Sequence, residues 1–286
     1  MQTKSVFRAY LLLLPGLGAI VGLMGTVICM PFFQSFGYFN FSGKSAFSTH
    51  YWLSTLADPQ FWNAFLYSFR VALLSALIAV SIALMLALWL RRPFRGSGTL
   101  SSLLKVPLFV HGLVAAFLYV NFISFHGFLN QGFTFLGLTS RPIRMQNDPY
   151  AIGIVILQVW KQMPFALLLL SGAVKGISDE IFNAARDLGA SSVQRVRRIV
   201  LPLCLKSIQA SLVLIFIGAV GDFSFQVVAG PTHVNSLAQL MYRTQTTRMD
   251  GWNFAATVAV ALMLTALFGS LLLAAVSQKV VKWGQR

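Results

Sequence analysis

Long apolar runs and short polar segments alternate six times along this chain. The apolar limits are approximately 10–33, 65–90, 103–125, 150–174, 207–229 and 253–277. A helix needs about 20 apolar residues to cross about 30 Å of hydrocarbon, and every run is long enough. The pattern predicts an all-α membrane protein with six transmembrane helices. Pro15, Pro107 and Pro164 fall inside runs; membrane helices tolerate them where neighbours satisfy the freed carbonyls. The first run follows Lys4 and Arg8, as a secretory signal would. It is too long for a simple signal core and lacks a clear small-x-small cleavage site, so it reads as a retained span. Residues 1–286 read as a single transmembrane domain with no obvious repeat.

Charge then sets an orientation. Of 286 residues, 57% are hydrophobic and 10% charged, well below the charged share of a soluble domain. A net charge of +15 would suit a nucleic acid if it formed a folded basic face with a base-reading element. It gathers instead in alternate polar segments. With the N-terminus inside, segments 1–9, 91–102, 175–206 and 278–286, together with Lys105, hold 15 of the 22 Lys and Arg residues. The opposite segments hold Lys44, Arg141, Arg144, Arg243 and Arg248, while Arg70 and Lys161 lie within or near spans. This positive-inside bias predicts that both termini and the 175–206 loop are cytoplasmic, and it excludes nucleic acid as the partner.

Little in the sequence suggests bond chemistry. Cys29 and Cys204 stand far apart, without the spacing of a disulfide framework or zinc site. His50, His111, His126 and His233 form no close metal-binding pattern, and no serine nucleophile motif stands out. No GxxxxGK[ST] phosphate loop is present. The function classes left open are a transport permease, a secondary transporter and a membrane scaffold. A secondary transporter would be expected to carry a repeat or broken helices around a central site.

The most unusual segment is NAARDLGASSVQRVRRIVLP, 183–202, a polar and basic stretch between two apolar runs. Ser178 or Asp179 is placed to cap a short helix starting near Glu180. Ile181, Ala184, Ala185 and Leu188 give that helix an apolar side. Gly189 permits a tight turn or a close approach by another surface. Ser191 and Gln194 have capping-box spacing. Val193, Val196 and Val200 make a second stripe, and Pro202 would end or kink the helix before the fifth span. Two readings fit this elbow: an amphipathic connector held by anionic membrane lipid, or a docking piece for another protein.

The segment resembles the cytoplasmic EAA loop of type I importer permeases in the ATP-binding-cassette (ABC) superfamily. Ala184, Ala185, Gly189, Ile199, Leu201 and Pro202 stand at the family's spacing, and Asp187 and Ala190 match common companions. Asn183 replaces the usual acidic residue. Within the superfamily the chain is most similar to the first permease of polyamine importers. ADPQFWNAFLYSFRVALLSAL (57–77), TSRPIRM (139–145), GDFSFQVVAGP (221–231) and GWNFAATVAV (251–260) carry that weaker likeness.

The resemblance implies a MetI-like fold and a non-catalytic, multi-pass subunit of a bacterial inner membrane. It implies an importer for a polyamine or related small solute, with phosphonate, an iron complex or thiamine as the alternatives. No cofactor would be bound directly, and ATP would be used by two cytoplasmic ATPase subunits. The elbow would dock to one of them through Asn183, Ala184, Ala185, Asp187, Gly189, Ala190, Ile199, Leu201 and Pro202. An extracytoplasmic solute-binding protein would deliver substrate. A second, similar but distinct permease would complete the path, with a homodimer as the other arrangement.

Polar residues in the spans are candidates for that path. An acidic group in a span is costly unless paired, hydrated or neutral, which singles out Asp222. Lys161, Gln158 and Asn121 join it, with His111 as a further polar position. For each, a bond within the protein competes with a place on the path. Most of the 25 Phe residues should face lipid or pack between helices.

Overall fold

The computed structural model describes residues 2–284 apart from 42, 140, 142, 144–146 and 149, and side chains only from 12 to 279. Arg144, Arg286 and much of the 139–145 stretch lie outside the described residues, as do the side chains of Lys4 and Arg8. Among the described residues the regular structure is entirely helical. In order come α1 (Gln2–Ser35), α2 (His50–Ala57), α3 (Pro59–Trp89), α4 (Ser97–Leu103), α5 (Gly112–Ile123), α6 (Phe128–Phe135) and α7 (Ile152–Lys175). Then follow α8 (Asp179–Asp187), α9 (Ser192–Arg195), α10 (Leu201–Leu203), α11 (Leu205–Val220), α12 (Ser224–Ala229), α13 (Leu237–Thr247) and α14 (Gly251–Gly284). A 3₁₀ turn spans Val106–Phe109 and a π turn spans Val196–Val200.

Among the described residues five stretches are long and apolar enough to cross a membrane: Leu12–Ser35, Pro59–Trp89, Gly112–Phe135, Ile152–Lys175 and Gly251–Lys279. A sixth is a bent pair, Ser192–Leu203 with Leu205–Val220, turned by 74°. Six spans are therefore met only if the bent pair counts as one. Two expected limits are corrected. The third span starts at Gly112 rather than 103, because Pro107 lies in the 3₁₀ turn and lacks the N–H that would carry a helix through it. The helix of the fifth span stops at Val220, short of 229, and α12 follows after a break at 221–223.

The chain divides into two compact units. One comprises residues 1–61 and 240–261. None of positions 12–33 of α1 is buried, and nearly all are exposed; a helix apolar all round requires a non-aqueous surround. The end of α1 is tied down by Asn253, whose side-chain amide donates to the Gln34 and Tyr38 carbonyls at 2.7 and 3.1 Å. Trp52 donates to the Ser35 hydroxyl at 3.2 Å, and the Tyr51 and Phe254 rings meet edge-on at 5.0 Å.

The larger unit comprises 62–239 and 262–286. Its core is built on a stripe of small residues in α3: Ala72, Ala76, Ala79, Ala83 and Ala87 are all buried. These positions recur at helical spacing on one face, and small side chains there let neighbouring backbones approach closely. Leu167, Leu170 and Val174 of α7 and Leu212, Ile215 and Phe216 of α11 join the same core. Phe216 is fully buried, and Gly269 of α14 sits against its ring: a Cβ there would overlap the ring carbons. Gln209 fastens α11 to α14 through the Ala274 carbonyl at 2.9 Å.

Candidate functional site

The elbow is shaped by local backbone bonds. The Ala190 N–H donates to the Ala185 carbonyl and the Gly189 N–H to the Arg186 carbonyl, both at 2.9 Å. This is a Schellman ending for α8, which puts its C′ residue in the left-handed region. Gly189 occupies that position at φ +76°. The spacing of Ala185, Gly189 and Ala190 thus has a local reason: a helix end, a left-handed residue and a small residue folding back. Of the two reasons for a glycine at 189, a tight turn and a close approach by another surface, this chain shows the turn, since a Cβ there would meet nothing within 4 Å. The constraint is backbone conformation.

The next turn follows the sequence closely. Ser191 caps α9 in a reciprocal box: the Gln194 N–H donates to the Ser191 hydroxyl at 3.3 Å, and the Ser191 N–H to the Gln194 side-chain oxygen at 2.8 Å. Ser178 occupies the N-cap of α8 but makes no side-chain cap bond there. The π turn that follows was not expected. It carries Arg197 and Arg198 outward and buries Val200 completely. Cys204 then marks the bend, two residues beyond Pro202.

The elbow's root is packed and its tip bare. Ile177 and Val200 are buried in the main core, and Phe182, Ile199 and Leu201 pack on it. By contrast Leu188 is 87% exposed, Val193 75% and Ile181 44%. Three large apolar side chains around one turn are therefore left uncovered, together with Asn183, Ala184, Asp187 and Gly189. Of the predicted second stripe, Val200 faces the core and Val193 does not.

Arg91, just past the end of α3, joins this root. Its guanidinium donates to the Ile177 carbonyl at 2.6 Å, pairs with the Asp179 carboxylate at 2.9 Å and lies 3.9 Å from the centre of the Phe182 ring. Sequence reasoning counted Arg91 only toward the charge bias. Its position directly after a span and before an acidic helix start was the available signal.

The polar residues of the spans fall into separate places. Gln158 is fully buried in α7, and its amide donates to the Asp222 carboxylate at 3.0 Å. Asp222 lies in the break after α11 and also accepts the Phe225 N–H at 3.1 Å, capping α12. Lys161 sits one turn below Gln158. Its ammonium donates to the carbonyls of Pro107 (2.7 Å), Leu108 (3.3 Å) and Val110, closing the end of the 3₁₀ turn. Asn121 is apart from them and exposed, donating to the Phe117 carbonyl of its own helix at 2.8 Å. His111 is exposed at the start of α5.

Tyr67 was not foreseen: its hydroxyl donates to Gln226 at 2.8 Å beside this break, both residues being buried. Arg70 donates to the Tyr150 carbonyl at 3.3 Å. A cavity of about 790 Å³ between α5, α6 and the start of α7 is lined by Tyr119, Phe122, Ile156 and Trp160. Its carboxylate, Asp148, accepts the N–H groups of Ile152 and Gly153 at 2.9 Å each.

Comparison with known proteins places this arrangement. Residues 72–282, most of the chain, match the family model of binding-protein-dependent transport system inner membrane components. The chain is 30% identical over 219 residues to the spermidine/putrescine transport system permease protein PotB of Escherichia coli (strain K12), covering 76% of this chain and 78% of that protein. It is 34% identical over 153 residues to a probable molybdenum ABC transporter permease of Haloferax volcanii, covering 53% of each. Its fold is similar to a chain of a bacterial ABC transporter involved in importing the acidic polysaccharide alginate, with a TM-score of 0.78 at 19% identity and 97% coverage of both chains. The chain belongs to the family of binding-protein-dependent transport system inner membrane components: it is a multi-pass, non-catalytic permease subunit of an ABC importer.

Proposed function

We propose that this permease forms half of an import path for a small cationic amine of the polyamine class. We propose also that its 175–206 elbow is the docking piece for a cytoplasmic ATPase. ABC importers of this family work with separate ATPase subunits and a solute-binding protein. The elbow reading rests on one observation: Ile181, Leu188 and Val193 are large, apolar and uncovered on a segment otherwise rich in charge. Exposed apolar groups rimmed by polar ones suit a protein interface. In this reading Ala184, Ala185, Asn183 and Asp187 of α8 enter a groove on the ATPase. Gly189 and Ala190 fix the turn, and Ile199, Leu201 and Pro202 connect it to the bent span.

With the elbow inside, both termini are cytoplasmic and a distinct second permease completes the path. ATP binding then shifts the pair between inward- and outward-facing populations through the docked elbows. The amine reading draws on the likeness to the spermidine/putrescine permease and on Asp222, a half-buried carboxylate at the break after α11. A carboxylate in a low-dielectric path attracts a cation more strongly than it does in water.

Uptake by the whole complex in vesicles tests the substrate, with labelled spermidine and putrescine beside a phosphonate, an iron chelate and molybdate. Amine uptake driven by ATP and the binding protein is expected. Robust uptake of a comparator without amine uptake would remove the amine and leave the importer.

A further inference from the structure

We infer that Arg91 is a positioning residue for energy coupling: it fixes the elbow's first helix to the end of the second span, so that α3 and α8 move as one body. This rests on the elbow being the ATPase-docking piece. The short loop from α7, Gly176, Ile177 and Ser178, leads into α8, and Ile177 and Phe182 hold this root by apolar packing on the core. Arg91 adds three contacts of different kind to the opposite element. Its side chain is only 12% exposed, and its guanidinium meets a backbone carbonyl before α8, the carboxylate at the first residue of α8 and the face of Phe182 one turn on.

The geometry suits a guanidinium. One terminal nitrogen, Nη2, meets both the Ile177 carbonyl and the Asp179 carboxylate, while the planar face of the group lies on the Phe182 ring, a stacking that a compact ammonium cannot reproduce. The acidic partner also stands in the first turn of α8, where negative charge is favoured by the helix dipole. Asp179 is 83% exposed, so the ion pair alone is weak in water. The carbonyl bond and the ring contact carry most of the fastening. The result is an elbow whose tip is free to bind and whose root cannot swing without α3.

Spin labels on cysteines at Arg92 and Glu180, in a Cys29→Ser, Cys204→Ala background, report the joint directly. In the whole transporter the distance should be single and narrow, both without nucleotide and with ATP trapped. Arg91→Gln should broaden it. The same change should lower ATP-driven uptake about ten-fold, while ATPase recovery and basal hydrolysis stay at wild-type levels. Arg91→Lys should recover only part of the uptake, and Asp179→Asn, at an exposed site, should cost about two-fold.

A wild-type distance that changes between the two nucleotide states would overturn the inference. So would an unchanged distance and uptake in Arg91→Gln. Loss of ATPase recovery by Arg91→Gln at an unchanged distance would also overturn it, by moving Arg91 to the docking surface itself. The docking reading fails separately, if ATPase recovery ignores a charge placed at Leu188. The label distance in the full-length permease still decides the joint in that case.

Discussion

Gln158 and Asp222 meet at 3.0 Å, joining the first third of the fourth span to the break that follows the fifth. Gln158 is fully buried, so its amide depends on that carboxylate. Asp222→Ala removes the acceptor for both Gln158 and the Phe225 N–H, and should destabilise the purified permease by about 1–3 kcal/mol. Asp222→Asn keeps an acceptor and removes only the charge. It should retain the thermal midpoint and ATPase recovery while lowering amine uptake roughly five-fold. Equal uptake by Asp222→Asn and wild type would confine Asp222 to its bonding role.

Lys161 is expected to matter for folding rather than selectivity, because its ammonium is used on three carbonyls at the end of the 3₁₀ turn. Lys161→Met should cost about 2 kcal/mol, and the uptake that remains should keep its substrate ranking. Thermal unfolding together with competition between amines of different length checks this. A changed ranking at unchanged stability would put Lys161 on the path.

At Gly189 the backbone and the partner make separate demands. Gly189→Asn tolerates a left-handed turn and should preserve ATPase association. Gly189→Val should strain the Schellman ending by about 1–2 kcal/mol. Gly189→Trp carries the same left-handed strain as Val and adds bulk that meets nothing within 4 Å of a Cβ in this chain; it should insert normally and recover far less ATPase than the Val variant does. Co-purification of the three variants separates the effects. Full recovery by the Trp variant would show that the turn lies outside the docking face.

The Phe216–Gly269 packing predicts a steric pair. Gly269→Ala should destabilise the larger unit by about 1–3 kcal/mol, as overpacking does in well-filled interiors. Phe216→Leu in the same chain should restore part of it. Additive losses in the double variant would mean that the two positions do not share one space.

Orientation is tested by accessibility labelling in intact cells. Cysteines placed at Arg95 and Leu188 should be protected, and one at Gln131 should react. Reaction of Leu188→Cys only from outside would reverse the orientation.

The spans were legible because hydrocarbon demands length and apolarity, and both are written in composition. Two of their limits were not, because Pro107 and the 221–223 break act through local backbone geometry that a hydropathy run passes over. The capping box of Ser191 and Gln194 was readable since both partners lie within one turn. The Schellman turn was half readable: Gly189 announced it, but the bonds of Ala190 and Arg186 belong to the folded backbone. Arg91 was hidden by distance, as its carbonyl partner is 86 residues away. The role of Lys161 was hidden similarly, since a charge in an apolar run gives no sign that three distant carbonyls receive it.

The bend of 74° at Cys204 makes the Ser192–Leu203 segment a crank arm on the fifth span. Twelve residues at about 1.5 Å each make that arm roughly 18 Å long, so a turn of about 10° in the span sweeps its far end about 3 Å sideways. The pivot is packed in the core, with Cys204 only 1% exposed and Val200 buried beside it. A straight helix rotating about its own axis would leave its tip in place. The bent one converts rotation of the span about its axis into sideways travel of the arm's far end, and such travel into rotation.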